Sequence, residues 1–283
     1  LTPREVYSPQ TVGAKAGEWC PFGRGRDQAD DQREDDARSL VFETSPIGET
    51  IEILGPPVVT LDIACDRPVA NLVARLCDVH PSGESLRVSY GVLNLTHRDG
   101  HETPAPLVPG QRYRVRLQLN DAGAVFPAGH KIRLALSTTY WPMIWPAPEA
   151  ATVTIVDGAL ELPVRTARPA DALLAPLPEP QTATPEHLTR VGPGLTRIDR
   201  LDLELGSEGK YAFDVSDDPL GAVAETRRTE TVRRGAWGVR IETWMRLSCT
   251  RDAFRLQTTL RASEGTSEVL RREWDCLIPR DGV

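Results

Sequence analysis

No stretch of this 283-residue chain approaches ~18 uninterrupted apolar residues, so no membrane-spanning helix is expected and no membrane partner is called for. Positive charge is not in excess either: 33 Lys+Arg against 40 Asp+Glu leave a formal charge of −7. An acidic chain has no basic face with which to neutralise phosphates, which argues against a nucleic-acid partner. Cysteine is scarce and odd in number. The five residues, Cys20, Cys65, Cys77, Cys249 and Cys276, include no CxxC pair, so neither a disulfide framework nor a cysteine-zinc site is expected. Buried free thiols in a reducing compartment, the cytoplasm, are the plainer reading. The opening LTPREVYSPQ lacks the charged-then-apolar pattern of a leader and begins at Leu1 rather than Met, which is read as a piece of a longer chain.

Proline and glycine are plentiful, at 24 and 22 residues. Proline at this density starves long helices and favours short strands separated by turns. The length suits one large domain or two ordinary ones. Residues 1–38 read as an irregular N-terminal segment. Its charge-dense run, Asp27 to Arg38, is taken as a solvated loop or short helix, since it lacks the spacing of a calcium loop. From Ser39 the apolar period becomes two. Val59, Leu61, Ile63 and Cys65 share one face, as do Tyr113, Val115, Leu117 and Leu119, and again Ile132, Leu134 and Leu136. Further strands are expected at 40–43, 50–54, 71–79, 86–92, 152–156 and 160–164. Turns at Asp66-Arg67-Pro68, Pro81-Ser82-Gly83, Pro109-Gly110 and Pro127-Ala128-Gly129 punctuate them.

This pattern predicts an all-β chain in which residues 39–165 form a jelly-roll β-sandwich. Residues 166–194 are a Pro-rich linker of polyproline character. Period two returns over 195–283, through Leu201, Leu203 and Leu205, then Trp237, Val239, Ile241, Met245 and Leu247. It continues with Phe254, Leu256 and Leu260, then Leu270, Trp274, Cys276 and Ile278. A second, smaller antiparallel unit, a meander of about five or six strands, fits these residues.

Little catalytic chemistry is visible. A G-x-S-x-G elbow is absent, Gly206-Ser207-Glu208-Gly209 having the wrong spacing, and so are phosphate-cradling glycine loops. No catalytic residue, no cofactor and no metal is therefore assigned. His97 and His101 stand four apart, but the intervening Asp99-Gly100 implies a turn that removes the shared helical face a metal pair would use. His80, in a turn, and His130, at the start of a strand, are read as partners of local backbone groups, and His187 falls in the linker. The most suggestive local feature is Tyr140-Trp141-Pro142-Met143-Ile144-Trp145-Pro146. Exposed, its rings would stack on a sugar or wall a pocket; packed, they would cap the sandwich core or lie against another domain, and packing is preferred because large apolar patches rarely stay bare.

Several long strings nevertheless occur together and in order. They are DQREDDARSLVFET at 31–44, ILGPPVVTLDIACDRP at 53–68 and VARLCDVHPSGESLRVSYGVLNLTHRD at 73–99. LVPGQRYRVRLQL at 107–119 and FPAGHKIRLALSTTYWPMIWP at 126–146 follow. Over about 17–163 the chain resembles the C-terminal β domain of the CocE/NonD hydrolases, a group that includes cocaine-esterase-like and X-Pro dipeptidyl-peptidase enzymes. The resemblance implies a jelly roll that follows an α/β-hydrolase domain in a parent chain. The Ser-His-Asp triad of such an enzyme lies in that other domain and maps onto no residue here.

The leading reading is thus a non-catalytic β region of a serine hydrolase that cleaves ester or amide bonds, Xaa-Pro peptides included, through an acyl-enzyme. Its partner would be the parent's α/β-hydrolase domain. His80, His97, Tyr140, Trp141 and Trp145 are the candidates for walling the substrate cleft or docking that domain. A bared docking face would also promote homo-oligomers. The rival from another class is a free-standing carbohydrate- or ligand-binding jelly-roll module built on the YWPMIW rings. A third idea, a metal-assisted enzyme using His97 and His101, is weaker.

Overall fold

A computed structural model describes residues 2–19, 28–166, 168, 188–192 (backbone alone) and 194–283. The chain is all-β and antiparallel, and it divides into two units. The first comprises residues 1–167 together with Val215–Ala222 and Arg280–Val283.

One sheet of this unit holds, in order, β1 (Arg4–Val6), β10 (Val153–Glu161), β4 (Val58–Cys65) and β7 (Arg112–Gln118). The other holds β2 (Leu40–Glu43), β9 (Lys131–Ser137), β5 (Asn71–Val79) and β6 (Ser85–Asn94). A separate ribbon pairs β3 (Ile51–Gly55) with β8 (Ala122–Phe126). Setting the ribbon aside and renumbering the other eight strands in chain order gives sheets 1-8-3-6 and 2-7-4-5, the double Greek key of a jelly roll. The expected sandwich is therefore present. Its first strand, however, is β1, inside the segment expected to be irregular, and β8 is an additional strand. The residues expected as two strands at 152–156 and 160–164 form chiefly the single strand β10, with a register shift between Ile155 and Asp157.

Alternation builds the core. Val59, Leu61, Ile63 and Cys65 of β4 are buried, as are Val115 and Leu117 of β7 and Val153 and Ile155 of β10. They pack in one cluster with Leu72, Ala74 and Leu76 of β5 and Ile132, Leu134 and Leu136 of β9. Strand β5 is buried on its other face too. There Val73 joins Val12, Ala16 and Tyr140 in a second, smaller cluster, so the N-terminal segment covers the outer face of the second sheet. Gly13 makes that approach feasible. It has φ +111°, and a Cβ there would lie 2.7 Å from the backbone nitrogen of Trp141. Trp141 N in turn donates to Val12 O at 2.8 Å.

The charge-dense run does form the short helix expected, with Asp30, Arg33, Glu34 and Arg38 exposed, but it is not solvated throughout. Helix α1 (Arg33–Asp36) turns Asp35 and Asp36 inward, where both are buried. Their counter-charge is Arg75, fully buried in β5, with 3.6 Å between Nη1 and Asp35 and 3.2 Å between Nη2 and Asp36. Arg133 reaches Asp36 at 2.8 Å and Glu43 at 2.5 Å, so the ionic network ends at the surface on β2. Lys131 Nζ donates to Glu43 at 2.7 Å, and that hydrogen bond, with help from Arg133, holds the Glu43 carboxyl below its ordinary range.

The second unit is a seven-stranded meander of β11 (Leu188–Gly192), β12 (Leu195–Ile198), β13 (Leu203–Asp214), β14 (Val223–Arg234), β15 (Trp237–Cys249), β16 (Ala253–Glu264) and β17 (Ser267–Pro279). It is longer than expected by β11, which begins inside the predicted linker; the other linker residues lie mostly outside the described ones. Among the described residues of β12–β17 none is buried. The registers nevertheless place Leu205, Tyr211, Phe213, Trp237, Met245, Leu270, Trp274 and Ile278 on one face, all at least 36% exposed. Trp244, Arg227, Glu242 and Arg261 line the opposite, polar face.

Candidate functional site

The five residues singled out from the sequence do not form one constellation. His80 follows the last residue of β5, whereas His97 follows β6, which runs back along β5. At ~3.3 Å per residue the nine residues of β5 put the two histidines about 30 Å apart, at opposite rims of the sandwich. Trp145 belongs with His97, because its carbonyl accepts a hydrogen bond from Asn71 at the start of β5.

Tyr140 is wholly buried and Trp141 is 7% exposed. Arg87 donates to the Tyr140 hydroxyl, and Arg75 sits 5.6 Å from the centre of its ring. Burial pushes the Tyr140 phenol pKa up. Trp141 and Trp145 meet edge to face with centroids 5.3 Å apart, and Met143 and Ile144 pack on the cluster around Val73. This stretch caps packing between the N-terminal segment and β5, so Tyr140 and Trp141 offer no open platform to a sugar. The last residues of the chain join the same rim. Gly282 O accepts from Asn94 and Thr96, both at 2.8 Å, and Arg280 donates to Pro146 O at 2.6 Å.

His97 and His101 also depart from expectation. The turn at Asp99-Gly100, closed by Gly100 N to His97 O at 3.0 Å, brings the rings together instead of separating them. Their Nδ1 atoms are 3.0 Å apart, one donating to the other, on the surface. At the far rim His130 is paired with the carboxylate of Asp78 at 2.9 and 3.0 Å, and His80 lies beside both. Asp–His is two-thirds of a hydrolytic triad, but among the described residues no serine hydroxyl is hydrogen-bonded to a histidine. Ser39 and Ser85 bind the ionic network, Ser89 the carbonyl of Asn120, and Ser137 that of Thr139.

The two described cysteines of the sandwich are not activated either. Cys65 and Cys77 are buried and free, and burial beside the negative charge of Asp36 pushes the Cys77 thiol up to about 12. Among the described residues no helix is long and apolar enough to cross a membrane.

Comparison with known proteins agrees with that geometry. Over 124 residues the chain is 28% identical to a protein described as a serine esterase from Mycobacterium bovis, covering 38% of this chain and 20% of the relative. It is 24% identical over 139 residues to the cocaine esterase of Rhodococcus sp., covering 48% of this chain and 24% of that enzyme. The chain therefore spans about a fifth to a quarter of the length of these relatives. An aminopeptidase from a marine sediment archaeon, Thaumarchaeota archaeon, shares the fold at a TM-score of 0.51 and 20% identity, over 58% of this chain and 33% of that one. Residues 4–182, more than half of the sequence, match the X-Pro dipeptidyl-peptidase C-terminal non-catalytic domain, and the chain belongs to that family.

Proposed function

We propose that this chain is the accessory β region of a serine hydrolase whose Ser-His-Asp triad lies on an α/β-hydrolase domain outside residues 1–283. The parent would hydrolyse ester or amide bonds, Xaa-Pro peptides among them, by way of an acyl-enzyme. The observation that carries this reading is the family match over a sandwich in which no described serine is coupled to a histidine. The relatives named as esterases are four to five times longer than the matched region, which leaves room for the catalytic domain.

The role of the chain is to dock on that domain and to help wall its cleft. His97 and Trp145, at one rim, and the exposed apolar face of the meander, with Tyr211, Phe213, Met245 and Trp274, are the surfaces suited to docking. His80, at the other rim, would serve a different contact. Tyr140 and Trp141 act from behind, by holding the loop that carries Trp145. Buried free thiols suit a reducing compartment, and cytoplasmic location is part of this proposal.

The test is to assay the purified 283-residue chain against p-nitrophenyl esters and Xaa-Pro-p-nitroanilides, and to label it with a fluorophosphonate. No turnover and no labelling are expected. Turnover abolished by a single Ser→Ala substitution within this chain would overturn the proposal.

A further inference from the structure

Register alone explains why three metal-ligating side chains meet at the rim of the second sheet. Asp78 pairs with Ile132 and Val79 with Lys131, so the same ladder carried one residue further sets His80 across from His130. Side chains alternate along strands, so Asp78, His80 and His130 project from the same face, at the end of the core row Ala74, Leu76, Leu134 and Leu136. The two imidazole rings are 4.5 Å apart, centre to centre.

The donor atoms are already gathered. His130 Nδ1 lies 2.9 and 3.0 Å from the two oxygens of Asp78, and His80 Nε2 lies 3.5 Å from one of them. One ligand atom from each of the three residues falls within 4.8 Å of the others. Two donors on a tetrahedral ion at about 2.0–2.1 Å stand roughly 3.4 Å from each other, so this spacing needs little adjustment.

The scaffold behind them is fixed. His80 N donates to Glu84 O at 2.9 Å and Gly83 N to His80 O at 2.8 Å; His130 N donates to Pro127 O at 3.1 Å and Ile47 N to His130 O at 2.8 Å. Asp78 is 8% exposed. Glu84 Oε2 stands 4.0 Å from His80 Nδ1, where a carboxylate would accept that N–H and orient the ring, as outer partners of metal-bound histidines do.

We propose that Asp78, His80 and His130 form a binding site for a divalent ion of the zinc class. The ligands are the Asp78 carboxylate, His80 Nε2 and His130 Nδ1, with water in the remaining position. Binding exchanges the His130 proton from Nδ1 to Nε2, so that the Nδ1 lone pair faces the ion and the Asp78 hydrogen bond is replaced by shared coordination. Two imidazoles with one carboxylate suit zinc, cobalt or nickel; calcium and magnesium prefer all-oxygen sets. The His80 side chain, 32% exposed, leaves an entry path. The ion would tie the β5–β6 turn to the β8–β9 turn and stiffen that rim.

The experiment is a titration of the whole chain, stripped with a chelator and dialysed, with zinc chloride by calorimetry and with cobalt chloride by visible absorption. A Cys20→Ser/Cys276→Ser background removes the exposed thiol among the described residues, and the one outside them, as competitors. Saturable zinc binding and cobalt d–d bands are expected. His80→Gln and Asp78→Asn should each weaken binding by about 10–100-fold or more. Asp78→Asn keeps a hydrogen-bond acceptor for His130, and His80 is a partly exposed turn residue, so both variants are expected to fold, with circular dichroism as the check. The double variant His97→Ala/His101→Ala should bind as the parent does. Absence of binding below millimolar zinc would overturn the proposal, and so would binding that survives His80→Gln and Asp78→Asn.

Discussion

Arg75→Met is the substitution to which the sandwich should respond most sharply. Arg75 and Asp35 side chains are 0% exposed and Asp36 is 3% exposed, so no water screens the group. Removing the guanidinium does not affect the two acids equally. Asp36 keeps Arg133 Nη1 at 2.8 Å and Ser85 Oγ at 2.7 Å. Among the described residues Asp35 keeps only the amide of Lys15 at 3.1 Å, which leaves a nearly unpaired buried carboxylate. Breaking a buried pair from one side costs about 3–5 kcal/mol. At ~2–4 °C per kcal/mol for a unit of this size, the melting temperature should fall by roughly 6–20 °C. Asp35→Leu added to Arg75→Met removes the stranded charge and should recover at least about 1 kcal/mol, since such ion pairs are often replaceable by apolar groups. Calorimetry of the full chain, with amide exchange on peptides from β5 to assign the transition to the sandwich, measures both. A cost below ~1 kcal/mol for the single variant, or strictly additive costs in the double, would refute the account of the network.

Three further outcomes follow from the same geometry. Gly13→Ala forces a side chain onto the backbone of Trp141 at φ +111°, so it should cost at least ~1–2 kcal/mol and open residues 7–19 to limited proteolysis; unchanged protection would contradict the close approach. Glu43, held below its ordinary 4.5 by Lys131 first and Arg133 second, supplies stability that is present above that value and is lost as pH falls through the lower folded value. Glu43→Gln should therefore flatten the acid limb of a melting-temperature profile below about pH 4.5, and an unaltered limb would tell against the pairing. Alkylation mapped by mass spectrometry should modify exposed Cys276 first and Cys65 and Cys77 only on unfolding, Cys77 having its thiol raised to about 12; early labelling of Cys77 would refute its burial.

Much of the sandwich was legible because β4, β7 and β9 are half-buried strands, and half-burial writes itself as alternation. Strand β1 was not, since three residues hemmed by Pro3 and Pro9 show no period; neither was β8, whose Ala-Gly-Ala start carries no apolar signal. Burial of Asp35 and Asp36 depends on Arg75, 40 and 39 residues further on. The available clue was a lone arginine inside the apolar run VARLCDV, a strand buried on both faces. Tyr140 and Trp141 pack against the Gly13 turn, a partner that has no local mark in the sequence. Asp78 and His130 are 52 residues apart and meet only through the β5–β9 register, which no spacing rule reveals.

The claim that this chain is the accessory region of a serine hydrolase is tested most directly in its source cells. Lysate labelled with a fluorophosphonate probe is captured with an antibody raised against these residues. A labelled band well above 31.1 kDa, the mass of this chain, is the predicted result. An unlabelled band at that mass would contradict it and make the chain a protein that acts alone.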